Sequence, residues 1–348
     1  MADASVAKPM SSAVGAESIV QIKDLHVGFK VFGGLLKVLN GVNMVVGRGE
    51  KIGIVGETGC GKTTTVKSIL RILPGEARIF HGEVLFQDKN VYKMHPHELQ
   101  KLRGQGASMI FQDPTAALNP VFTLGEQISE IISHSGTQPE GKKEAIKILA
   151  VKAFREATLP DAERMMETYP FQLSGGMRQR ACIAMALATP RDLMIADEPT
   201  TNLDVTIQDQ VLRLLKNLVD QRGMSLILIT HSLGVARETT DRIYIMYAGN
   251  MVEVARTAEI FERPLHPYTT GLLSCIPKLT GGGVAEGIPG RIPDYMNPPA
   301  GCRFEPRCPK AMERCKKEKP EFVEVGKDHQ VACFLYYQVP QNGVQHHG

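Results

Sequence analysis

Tryptophan is absent from the 348 residues, and Phe, Trp and Tyr together make up only 6% of them. Proteins that grip single-stranded nucleic acid stack bases on aromatic rings, and this chain has few rings to offer. Charge is nearly balanced, with 40 Lys+Arg against 37 Asp+Glu, so binding of nucleic acid through bulk positive charge is not expected. No stretch approaches the roughly 18 consecutive apolar residues that a membrane span needs; work at a membrane would have to borrow another chain's spans. Met1–Glu17 has no basic start followed by an apolar core, so no secretory signal is expected. Residues 1–17 read as a disordered leader of a cytosolic protein, and the polar Gln338–Gly348 as a frayed end.

What is present is an alternation of short apolar runs with helical patterns. Ile19–Val31 reads as an edge strand and Val38–Val46 as a second. Lys51–Val55, Asp192–Asp197 and Ser225–Thr230 are apolar runs of the length of buried strands. Lys62–Leu73 carries Val66, Ile69, Leu70 and Leu73 on one helical face and meets Pro74-Gly75, a stop signal. Asn119–Thr168 is helical in pattern, and another helix lies around Ile207–Val219. Strands alternating with helices predict an α/β fold with a mostly parallel sheet. Ile243–Val254 carries a hairpin signal at Gly249-Asn250. After Pro264 periodicity fades and Pro, Gly and Cys become frequent, which places a boundary near residues 257–264.

Gly56-Glu57-Thr58-Gly59-Cys60-Gly61-Lys62-Thr63, followed by Thr64, fits G-x-x-x-x-G-K-S/T between a strand and a helix. Glycines let backbone N–H groups curl around phosphate oxygens at a positive helix end. Lys62 is placed for the β- and γ-phosphates and Thr63 for Mg²⁺. The apolar run Leu193–Ala196 ends in Asp197-Glu198. Asp197 is placed to hold Mg²⁺ and Glu198 to polarise an attacking water; alone, such a strand end is weak, and the phosphate loop upstream strengthens it. Leu173-Ser174-Gly175-Gly176-Met177 opens a helical run, where Ser and Gly leave backbone donors facing an anion.

These motifs resemble those of ATP-binding cassette proteins. Leu173–Met177 resembles the signature, Gln112 in Phe111-Gln112-Asp113-Pro114 the Q-loop, Asn202-Leu203-Asp204 the D-loop, and His231 the switch histidine. Phe29 sits where the family keeps an aromatic to stack on adenine, and Phe32 is the lesser candidate. The resemblance implies a P-loop NTPase (RecA-like) cassette over residues 18–256, with an antiparallel β subdomain and a helical signature subdomain at about 115–180. It implies ATP and Mg²⁺ as ligands, with Gln112 joining Thr63 and Asp197 at the metal. It also implies that two cassettes close head to tail, so that Ser174 and Gly176 serve ATP bound on the other cassette. Two departures stand out: Ser232 replaces the usual Asp after the histidine, and Asn202 replaces a common Ala.

Further segments resemble the oligopeptide/dipeptide branch of importers: Leu118-Asn119-Pro120, Asp204–Gln208, Met246–Gly249 and His266–Thr269. Met177 in the signature is similar to the D-type ATPase subunit, which pairs with an F-type ATPase. The implied partners are therefore two membrane permeases, an F-type cassette and an extracytoplasmic substrate-binding protein, with no nucleic acid. The implied place is the cytoplasmic face of the membrane, and the cargo is peptides, with oligosaccharides or another small solute as the alternative. A soluble cassette protein outside transport is a further reading, but this chain lacks the tandem cassettes usual there.

Of seven cysteines, Cys302, Cys308, Cys315 and Cys333 crowd into the tail, spaced by five, six and seventeen residues. Four thiolates suit a 4Fe–4S cluster or a structural zinc, while the intervals are wider than usual zinc knuckles. Free or oxidised thiols remain a third reading. The tail, residues 257–348, resembles the Cys-rich extension of oligopeptide-branch ATPases, some of which carry an iron–sulfur cluster.

Overall fold

The computed structural model describes residues 17–136, 142–201, 203–276 and 287–337. The leader up to residue 16, the end Gln338–Gly348 and Asn202 lie outside them. Twelve strands are described: β1 (Ser18–Val31), β2 (Gly34–Gly47), β3 (Lys51–Val55), β4 (Ala77–Phe86), β5 (Lys89–Asn90), β6 (Ala107–Ile110), β7 (Leu193–Asp197), β8 (Ser225–Thr230), β9 (Arg242–Tyr247), β10 (Asn250–Arg256), β11 (Val323–Gly326) and β12 (His329–Val331). They form two sheets, ordered β2-β1-β4-β5 and β11-β12-β10-β9-β3-β8-β7-β6.

The expected parallel sheet is the centre of the larger one, where β9, β3, β8, β7 and β6 run parallel. The runs of β3, β7 and β8 are apolar because they are covered on both sides; apart from half-buried Lys51 at the start of β3, every residue in them is buried. One large core lies between the two sheets. A second gathers Leu118, Ile128, Phe154 and Met185 among the helices of residues 114–188.

Three expectations need correction. The Ile19–Val31 segment is not an edge: β1 pairs with β2 on one side and β4 on the other. Alternation tells which face of a strand is wet, not how many neighbours it has. The helix after the glycine loop ends at Ile69, short of Leu73. Arg71 takes φ 51° and the Ile72 N–H closes on the Lys67 carbonyl at 3.1 Å, a Schellman ending with arginine where glycine usually signals it. The hairpin turns one residue early: Ala248 and Gly249 have φ of 43° and 80°, and Asn250 already pairs with Tyr247. Positive φ at both central residues makes the turn that matches strand twist.

Beyond residue 257 the chain returns to the sheet. In β12, Val331 pairs with Glu253 of β10. Glu253 is fully buried, and its carboxylate accepts from the Leu265 and His266 N–H groups, each at 2.8 Å, and from His329 Nε2 at 2.8 Å. Burial alone would raise its pKa; the bonds from His329 and the two N–H groups outweigh burial and lower it. His266 caps the helix Pro267–Ser274 through its ring nitrogen, and burial pushes its pKa down to about 4.

Two outcomes follow for stability. Removing the carboxylate in Glu253→Ala strands several buried donors, and denaturant titration should show a loss of about 3 kcal/mol or more. For His266 the folded pKa lies below the ordinary 6.5, so the unfolded chain binds the extra proton. Its contribution is whole above pH 6.5 and is lost as pH falls toward 4. Urea midpoints measured from pH 7 to pH 5 should therefore fall less steeply in His266→Asn, which keeps a capping acceptor.

Candidate functional site

The glycine loop leaves β3 and enters the helix Lys62–Ile69, as the apolar run and the helical face predicted. Two of its glycines are required by space and geometry. A Cβ at Gly56 would fall 2.1 Å from the Met246 carbonyl oxygen, and Gly61, the residue before the helix, has φ +108°. Thr58 and Gly59 are exposed, Thr63 and Thr64 half-buried, and Cys60 buried. Burial pushes the Cys60 thiol up to about 11, which makes it a packed small side chain rather than a reactive one.

Lys62 is buried at 4% exposure. Its ammonium donates to the carbonyls of Gly56 at 2.8 Å and Glu57 at 3.0 Å, and lies 3.7 Å from Glu198 Oε1. The Thr63 hydroxyl donates to Asp197 Oδ1 at 3.0 Å. Burial raises the Asp197 pKa, the Thr63 bond opposes that, and the neighbouring Glu198 charge adds to it. A cation beside Asp197 would relieve both burial and repulsion. The donors present there, a hydroxyl and a carboxylate, are the hard oxygen ligands that suit Mg²⁺.

Glu198 is where the separate motifs meet. It follows β7 with φ 46°, a left-handed conformation a non-glycine residue adopts at a cost. Its Oε2 accepts from Gln112 Nε2 at 3.2 Å and from Thr201 Oγ1 at 3.0 Å, and lies 3.4 Å from His231 Nδ1. Lys62 at a helix start and Gln112, Glu198 and His231 just past strand ends thus come together. Thr201 belongs to the same knot and was not singled out in the sequence, where only its place three residues after Glu198 pointed to it.

The signature lies elsewhere. Ser174 caps the helix Gly175–Ala186 through the Met177 N–H at 3.3 Å. Leu173 is buried, Ser174 exposed, and Gly175, Gly176 and Met177 half-buried. A Cβ at Gly176 would meet Ile207 Cγ2 at 2.9 Å. Asp204 caps the next helix through the Ile207 N–H at 2.9 Å. Ser232, the departure beside His231, caps the helix Leu233–Thr239. Phe29 is half-buried against the core between the sheets, whereas Phe32, ranked below it, is fully exposed at the β1–β2 turn.

The four tail cysteines are free thiols. The Cys302 N–H donates to the Cys315 carbonyl at 2.8 Å. Burial pushes the Cys302 thiol up to about 12, and charge on Cys315, Cys333 and Cys308 raises it further; Cys333 is pushed up to about 11 by burial, with Cys308 and Cys315 adding. The four sulfurs therefore share one electrostatic neighbourhood. Among the described residues, the group of three or more ligand atoms lying within 4.8 Å of one another is Asp24, His26 and His81, not the thiols.

Sequence reading also missed the side chains that join the tail to the glycine loop: Tyr268, Tyr295 and Arg307. The Glu57 N–H donates to Tyr268 Oη at 2.9 Å, Tyr295 Oη donates to the Gly59 carbonyl at 2.9 Å, and Arg307 Nη1 donates to Glu57 Oε2 at 2.9 Å. No local pattern announces contacts across more than two hundred residues.

Among the described residues no helix is long and apolar enough to cross a membrane. The family model for ABC transporters matches residues 39–201, and that for the oligopeptide/dipeptide transporter C-terminal region matches residues 252–315. The chain is 42% identical over 335 residues to a probable peptide ABC transporter ATP-binding protein of Sinorhizobium fredii, covering 95% of this chain and 98% of that one. It is 41% identical over 332 residues to the dipeptide transport ATP-binding protein DppD of Bacillus subtilis, covering 94% and 98%. A dimeric ATP-binding cassette solved in a post-hydrolysis state with ADP and Pi matches with a TM-score of 0.61 at 27% identity, covering 68% of this chain and 98% of that one. At that identity over nearly the whole of both chains, it belongs to the family of ABC transporter ATP-binding proteins, within the oligopeptide/dipeptide branch.

Proposed function

We propose that this chain is the ATP-hydrolysing subunit of a peptide importer. The observation that carries the proposal is the convergence of Lys62, Gln112, Thr201 and His231 on Glu198 beside the phosphate loop. Lys62 gives up loop carbonyls for the β- and γ-phosphates of ATP. Glu198 accepts a proton from the attacking water, and His231 and Gln112 hold that carboxylate in place. Thr63, Asp197 and the oxygen of Gln112 would hold Mg²⁺, which would supply positive charge against the phosphates. Catalysis of this kind is positioning and electrostatics.

Ser174 caps, and Gly176 lies in the first turn of, a helix whose N-terminus would serve ATP bound on a second cassette, the F-type subunit, across a closed pair. Asp204 borders the same junction. An exposed apolar patch suits two membrane permeases: Val121 is 74% and Phe171 68% exposed. Phe171 stacks on Tyr169, and the chain just after Val121 is tied to the same region by the bond from Leu124 N–H to the Thr168 carbonyl. Arg178 of the signature helix reaches Thr115 just past Gln112 at 3.4 Å, a short path from patch to site. The subunit then works peripherally at the cytoplasmic face, with a substrate-binding protein on the far side choosing the cargo.

For the tail we propose a 4Fe–4S cluster on Cys302, Cys308, Cys315 and Cys333. Four unbridged thiols, of which Cys302, Cys308 and Cys333 are pushed up by burial with charge on neighbouring thiols adding, suit a cationic inorganic core. Sulfurs around one zinc ion, each about 2.3 Å from it, stand within 4.8 Å of one another, and no three of these do. A cluster bound there crosslinks four points of the tail. Iron and acid-labile sulfide in anaerobically purified protein should approach four each per chain; stoichiometric zinc without iron would reverse the choice.

The test of function is the ATPase of the transporter assembled with its permeases and binding protein. Peptides should stimulate it several-fold over the basal rate. Stimulation by oligosaccharides and not by peptides would leave the residue roles standing and move the cargo.

A further inference from the structure

Glu57 is a physical oddity. It places a carboxylate inside a loop whose purpose is to bind a polyanion, and its own carbonyl accepts from Lys62 Nζ at 3.0 Å. A negative charge there opposes every phosphate that enters. The charge does not stand alone. Arg307, 250 residues along the chain, donates to Glu57 Oε2 at 2.9 Å. Its side chain is only 5% exposed, and that of Glu57 is 27% exposed.

The guanidinium has no slack. Nε donates to the Pro289 carbonyl at 2.9 Å, Nη2 to the Ile288 carbonyl at 2.8 Å, and Nη1 also reaches Tyr247 Oη at 3.3 Å. An arginine whose fork is spent on fixed partners is a rigid charge rather than a surface ion pair that forms and breaks. Two further contacts hold the same loop from the same side, Tyr268 on the Glu57 N–H and Tyr295 on the Gly59 carbonyl. Arg307 itself lies beside Cys308, in the short turn Glu305–Arg307 that follows Cys302.

We infer that Arg307 is a positioning residue for nucleotide: from the cysteine-bearing tail it neutralises Glu57 and fixes that side chain, so that the acidic phosphate loop accepts ATP. The tail is thereby part of the ATP site. This rests on ATP binding at the glycine loop and not on which group the four cysteines hold.

The experiment measures the affinity of a fluorescent ATP analogue for the full-length chain in its assembled transporter, in a Glu198→Gln background so that nucleotide persists. Arg307→Gln leaves an unpaired carboxylate in the loop, and its affinity should fall about tenfold, or ~1.4 kcal/mol. The loss should shrink as salt rises, because it is electrostatic. Glu57→Gln alone removes the repulsive charge and should bind as tightly as the parent or tighter. The double variant should recover to within about twofold of Glu57→Gln. Arg307→Lys keeps the charge but not the fork, and its affinity should fall between that of the parent and that of Arg307→Gln. An unchanged affinity in Arg307→Gln would overturn the inference. So would a double variant as weak as Arg307→Gln, since the arginine would then be a structural prop only. If Arg307→Gln does not fold, Glu57→Gln still decides: weaker binding there overturns the inference, and equal or tighter binding supports it.

Discussion

A buried ammonium must find acceptors, and where Lys62 finds them shapes the site around it. At 4% exposure it cannot rely on water. It takes two carbonyls of its own loop and lies near Glu198. That demand curls the loop back over the helix end, which in turn requires glycine where the Met246 carbonyl crowds Gly56. The same demand draws the carboxylate inward to a point that three other side chains then reach. Phosphate oxygens are better partners for an ammonium than neutral carbonyls, so the cradle is built for a ligand that replaces them.

The tail serves the same loop from outside. Glu253 anchors it to β10 with bonds from Leu265, His266 and His329, and β12 extends the sheet. From that anchorage two tyrosines and one arginine reach back to Glu57 and Gly59. Residues far beyond the recognisable motifs thus set the geometry of the motif closest to the N-terminus.

Sequence made the site legible and the frame around it less so. The glycine loop and Asp197-Glu198 were readable because phosphate chemistry demands those residue types next to short buried strands, whereas Gln112 and His231 were read from the resemblance to ATP-binding cassettes. The parallel strands β3, β7 and β8 were readable because both their faces are covered. β4 was missed: Arg78, His81 and Gly82 interrupt its alternation, and only its pairing with β1 makes it a strand. The end of the first helix was misplaced because Arg71 occupies a conformation that arginine seldom signals. The contacts of Tyr268, Tyr295 and Arg307 with the glycine loop were invisible because they span more than two hundred residues.

The most direct measurement is single-turnover hydrolysis set beside nucleotide affinity in Glu198→Gln, made in the assembled transporter. Glutamine keeps the shape of the side chain and removes the base. Affinity should stay within about threefold of the parent while hydrolysis falls by a factor on the order of 10² to 10⁴. Hydrolysis at the parent rate would show that Glu198 is a structural node and that another group activates the water.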